Sequence, residues 1–103
     1  MEKQDAKKTL LEAGRYNITV ERAKEICKAF GVELDNSIIR TTRGYRENVE
    51  DPTEPRVNVA TLSKSICLAL GKEPHKETLK TANRMNGEGS YRDYMAKAYA
   101  TNL

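Results

Sequence analysis

Lys24-Glu25-Ile26-Cys27-Lys28-Ala29-Phe30-Gly31-Val32-Glu33 is echoed forty positions downstream by Lys64-Ser65-Ile66-Cys67-Leu68-Ala69-Leu70-Gly71-Lys72-Glu73. The echo runs on without a gap, so that Ile39-Arg40-Thr41 answers to Leu79-Lys80-Thr81. Seven of the eighteen aligned pairs between 24–41 and 64–81 are identical. Average residue usage would give about one. Each copy reads as an apolar helix stripe closed by a glycine and followed by a second segment.

In the first copy a helix begins near Asn17 or Thr19, either of which can cap it. Val20, Ala23, Cys27 and Phe30 follow at helical spacing, with Ile26 beside them. Gly31 is the expected stop, because only glycine enters the left-handed region without cost. Asp35 or Asn36 is then expected to cap a second helix with Ile38, Ile39 and Thr42 facing inward. In the second copy the helix opens at Asn58 or Thr61, and Leu62, Ile66, Ala69 and Leu70 line it. Gly71 stops it, Pro74 suits the first turn of the next helix, and Leu79, Ala82 and Met85 form the inward face.

Around the repeat lie two more helical patterns. Residues 3–13 place Ala6, Leu10 and Ala13 on one face, and Gly14 is a terminator. A last helix, about 90–101, carries Tyr91, Tyr94, Met95, Ala98 and Tyr99 behind a Ser90/Asp93 capping pattern. No stretch alternates with period two for long enough to argue a strand. The expected fold is therefore all-α: two tandem helix-turn-helix-like hairpins with an extra helix at each terminus, in one domain over 1–103. The hairpins occupy about 17–46 and 57–86. The linker 47–56 holds two prolines and four acids, which neither continue a helix nor build a core. A single αα-hairpin cannot bury its own stripe, whereas two facing copies can.

Composition narrows the function. The chain has 103 residues, 38% of them apolar and 32% charged, with a mean hydropathy of −0.74. That supports one modest core, and no apolar run approaches the length of a membrane span. The net charge of +3 permits an acidic partner without demanding one. Two cysteines at equivalent repeat positions, with no signal-peptide pattern, point to buried thiols in a reducing, cytoplasmic setting. The single histidine, His75, excludes a histidine-rich metal site, and Gly87-Glu88-Gly89 lacks the lysine of a phosphate loop. No catalytic constellation and no cofactor are expected.

The polar signal lies in the second segments of the two copies. Arg40, Arg43 and Arg46 recur every three residues, and Lys76, Lys80 and Arg84 every four. Arg40 and Lys80 are repeat-equivalent, and Thr41, Thr42 and Asn83 add hydrogen-bonding groups beside them. Cys27 standing four before Gly31 with Val32 after it is a partial helix-turn-helix spacing. These features point to a small nucleic-acid-binding regulator of microbial, phage or plasmid type, with DNA favoured over RNA. The competing expectation is a protein-interaction module, such as an inhibitor, an adaptor or an obligate dimer. Its surface would be Tyr91, Tyr94, Met95 and Tyr99, since tyrosine and methionine are favoured at interfaces.

Overall fold

A computed structural model describes residues 1–41, 54–85 and 89–103. The order is α1 (Lys3–Glu12), β1 (Asn17–Thr19), α2 (Val20–Ala29), a 3-10 turn (Asn36–Ile38), β2 (Arg40–Thr41), β3 (Pro55–Asn58), α3 (Val59–Ala69), α4 (Lys76–Arg84) and α5 (Tyr91–Ala100). The chain is mostly helical but not all-α, because the three strands form a small antiparallel sheet in the order β1-β3-β2. Ile18 pairs with Val57 and Arg40 with Arg56. Strands of two to four residues are too short to print an alternating pattern, so this sheet leaves no periodic signal in the sequence.

The helix ends follow the sequence reading closely. Thr19 caps α2 by accepting from the Arg22 N–H, and Asn58 caps α3 by accepting from the Thr61 N–H. Both helices close on a glycine with positive φ, +72° at Gly31 and +67° at Gly71. The Val32 N–H returns to the Cys27 carbonyl and the Lys72 N–H to the Cys67 carbonyl, each at 3.0 Å. These are Schellman closures, which satisfy carbonyls that a helix end leaves open. The Ser90/Asp93 capping pair does not form. Ser90 makes no side-chain cap, and Asp93 turns to Arg15 instead.

Beyond the glycines the two copies part. In the second, the expected helix forms, but His75 caps it by accepting from the Thr78 N–H, so Pro74 precedes α4 instead of opening its first turn. In the first, Asp35 accepts from the Ser37 N–H in the equivalent place, but only one 3-10 turn follows before β2 begins. The expected second helix of the first hairpin is therefore absent over 36–41. Composition explains the difference. The first copy has Asn36, Ser37 and the β-branched Ile39 where the second has Lys76, Glu77 and Leu79, which are better helix formers. The linker reading also shortens at its end, since Pro55 and Arg56 belong to β3.

Leu10 of α1, Ile26 of α2, Val57 of β3, and Leu62 and Ile66 of α3 are fully buried and share one core. Ala69, expected inward, is exposed. Helix α5 packs against α1, α3 and α4 through Ala96, Ala98 and Ala100, none of which retains any exposure. Its C-terminal end is tied down from two sides. The His75 N–H donates to the Ala98 carbonyl at 2.7 Å, and Lys7 Nζ donates to the Thr101 carbonyl at 2.9 Å.

Its N-terminal end is held by the loop after α1. A Cβ at Gly14 would stand 2.6 Å from the Arg92 carbonyl oxygen and 2.7 Å from the Ala96 Cβ. Next to it, Arg15 donates to Asp93 from its backbone N–H at 3.2 Å and from Nε at 3.0 Å. The Tyr16 carbonyl then accepts from the Val59 N–H, which links the same loop to the start of α3.

Gly14→Ala is expected to lower the urea midpoint by an amount equivalent to about 1–3 kcal/mol, because backbone must move to admit the methyl. Gly31→Ala meets open space and carries only left-handed strain, about 1–2 kcal/mol. The Arg15 guanidinium holds the Asp93 carboxyl below its ordinary range. A depressed carboxylate stabilises the fold above its unfolded pKa of about 3.9 and loses that contribution as pH falls through its folded value. Urea midpoints of the parent should thus exceed those of Asp93→Asn at neutral pH. The gap should close as the pH drops below the ordinary carboxylate range.

Candidate nucleic-acid interface

Strand β3 alternates. Val57 points into the core, so Arg56 and Asn58 lie on the outer face of the sheet. The pairings Asn17 with Asn58 and Arg40 with Arg56 bring four polar side chains to that face, since directly opposed residues share a side. Asn58 Nδ2 donates to Asn17 Oδ1 at 3.2 Å, while Asn58 Oδ1 accepts from the N–H of Thr61. One side chain therefore both caps α3 and orders the sheet face.

Arg92, in the first turn of α5, completes a depression of about 200 Å³ lined by Asn17, Ile38, Arg40, Arg56, Asn58, Thr61 and Arg92. Its electrostatics are one-sided. Arg40 and Arg56 are directly opposed like charges, an arrangement that destabilises a sheet. Arg92 stands at the positive end of a helix dipole, and the N-terminus of α3 also opens here. Arg56 is paired with Glu54 at 2.9 Å. Among the described residues, no acid forms an ion pair with Arg40 or Arg92. Arg40 instead donates from Nη1 to the Ser37 and Ile39 carbonyls, which fixes its guanidinium near its own strand.

A second depression, about 280 Å³, adjoins the first and shares Asn58, Thr61 and Arg92 with it. Tyr91, Met95, Ala60 and Lys64 supply its other walls. Two surfaces that are separate in the sequence, one basic and one aromatic, thus meet at the start of α5. A third trough, about 500 Å³, runs between α3 and the 33–38 segment past Ile38, Lys64 and Leu68. Leu68 keeps 60% of its surface exposed there.

The sequence-derived residues fall into four groups. Arg40 and Thr41 are exposed on the edge strand β2, and Arg40 joins the depression. Lys76, Lys80, Asn83 and Arg84 are exposed along α4. Lys80 lies 3.7 Å from Glu77, and Arg84 Nη2 donates to Thr81 Oγ1. None of these α4 residues lines the basic or the aromatic depression. Thr42, Arg43 and Arg46 lie outside the described residues. Of the C-terminal side chains, Tyr91 and Met95 line the second depression, Tyr94 lies under Lys97 Nζ at 5.4 Å, and Tyr99 is buried in the interior. Tyr99 is thus no part of an outer surface.

Arg56, Arg92, Asn17 and Asn58 do not stand out as ligand-binding residues in the sequence. Arg56 falls in the linker reading and Arg92 in an aromatic helix. The one available signal is the cap at Asn58, which fixes where α3 starts and so which residues precede it in the strand. Burial pushes the Cys27 and Cys67 thiols up, which disfavours the nucleophilic thiolate. Among the described residues no cluster of His, Cys, Asp and Glu is arranged to hold a metal ion, and no helix is long and apolar enough to cross a membrane. No family model matches the chain, and neither a curated protein nor a solved structure matches it.

Proposed function

We propose that this is a small, non-enzymatic nucleic-acid-binding protein with a regulatory role and DNA as its expected ligand. The observation that carries the reading is the convergence of Arg40, Arg56 and Arg92 on one concave face, with residues from the starts of α3 and α5 on its wall. Three guanidiniums with one paired acid beside them invite a phosphate, which arginine binds through its planar fork of donors. Asn17, Asn58 and Thr61 are neutral groups of the kind that take up phosphate and sugar oxygens. The α4 stripe of Lys76, Lys80 and Arg84 offers a further run of cations for backbone contact.

A second reading is protein binding. It is favoured by the exposed Leu68 in the trough beside α3, with Glu33 and Asp35 on one wall and Lys64 on the other. Large apolar side chains exposed in a groove mark interaction sites more often than scattered ones do. In that case the partner would be an adaptor target, or a second copy of the chain.

Affinity for a labelled DNA measured across a salt series decides between them. The parent is expected to bind at low salt and to weaken linearly in log–log form as salt rises. Arg40→Ala/Arg92→Ala should reduce the magnitude of that slope by about two, one for each arginine that no longer meets a phosphate. A double variant that binds like the parent at every salt concentration would overturn the proposal. A parent that binds no nucleic acid at low salt would shift the weight to the Leu68 trough.

A further inference from the structure

We infer that the paired depressions at the start of α5 receive one nucleotide unit of an unpaired strand, with its phosphate among the arginines and its base against Tyr91 and Met95. This deepens the nucleic-acid reading above and rests on it. Three observations carry the inference.

The first is shape. A duplex is read by elements that protrude, since its major groove admits a helix or a two-stranded ribbon. The surface here is concave on both sides of the Asn58–Thr61–Arg92 rim. A concave site must be entered by something that projects from the ligand, and a base does so only when it is unstacked. The second is the order of chemistry along the surface. The depression of about 200 Å³ is lined by three arginines and two asparagines with Thr61 and Ile38, while its neighbour of about 280 Å³ adds Tyr91, Met95, Ala60 and Lys64 to the shared rim. Charge beside an apolar aromatic wall matches the order of phosphate and base within one nucleotide. The third is the placement of Arg92 on the rim common to both. From there its guanidinium reaches a phosphate on one side and the edge of a base on the other. Thr61 and Asn58 share that rim and supply neutral donors and acceptors for the sugar.

Tyrosine suits such a wall because stacking uses the face of any base and is indifferent to sequence. The expected ligand class is therefore single-stranded nucleic acid with little sequence preference, in the form of a loop, a bulge or a free end.

The test compares three labelled probes by fluorescence anisotropy at low salt: a mixed-sequence single strand, the same strand in a duplex, and an abasic strand of equal length. The parent should bind the single strand more tightly than the duplex or the abasic strand. Tyr91→Leu should weaken the single strand about tenfold, and leave the other two unchanged. Tyr91→Phe, which keeps the ring, should bind like the parent. The parent's ranking of intact over abasic strand needs no variant, so it holds even if Tyr91→Leu destabilises the fold. Equal affinity for intact and abasic strands would overturn the base pocket. Tighter binding to duplex, still weakened by Arg40→Ala/Arg92→Ala, would overturn the inference and leave the nucleic-acid reading standing. No binding to any probe would overturn both.

Discussion

The structure depends on the absence of a side chain at Gly14. Helix α5 comes so close to the 13–16 loop that a methyl group there would meet the Arg92 carbonyl and Ala96. That contact sets where the N-terminal turn of α5 lies, and the Arg15–Asp93 pair holds it. The same loop continues into β1, and its Tyr16 carbonyl fixes the first N–H of α3. A run of four residues thus registers α5, α3 and the sheet against one another. Arg92 comes beside Arg56 and Arg40 as a result of that registration, although the three come from three different elements.

The concentrated positive charge has a physical cost that the rest of the fold offsets. Like charges opposed across a sheet and a cation at a helix N-terminus each oppose folding by a fraction of a kcal/mol to about one. Neither is needed to close the core, which is complete below them in Val57, Val59 and Leu62. A local arrangement that conflicts with stability while the surrounding packing agrees with it is the usual mark of a functional surface. The buried face of the sheet answers to the core, and its outer face is free to answer to a ligand.

Local signals in the sequence are legible where one residue type has one physical use. Gly31 and Gly71 stop their helices in the left-handed region, and Leu10, Ile26, Leu62 and Ile66 are core. Legibility ends where the choice lies between extended and helical backbone over a few residues. Ile38 and Ile39 fit the spacing of an inward helical face, yet their β-branching favours extended backbone, and the chain enters a strand at Arg40. Repetition itself misleads here, because the helical second copy is a poor guide to the first. The candidate site is less legible than the fold. Its residues lie at 17, 40, 56, 58 and 92, and only strand pairing and the Gly14 approach bring such distant positions together. Arg40 stands out because its charge sits inside a repeat. Arg56 and Arg92 carry no local mark.

Cys27 and Cys67 have a consequence of another kind. They are the only thiols in the chain, both are buried, and each sits one turn before the closing glycine of its helix. Each is therefore shielded from reagents in water until its own helix end opens. The molecule carries a built-in label for the breathing of α2 and another for that of α3. Native-state thiol labelling, resolved residue by residue, would read the local opening free energies of the two halves separately without altering either.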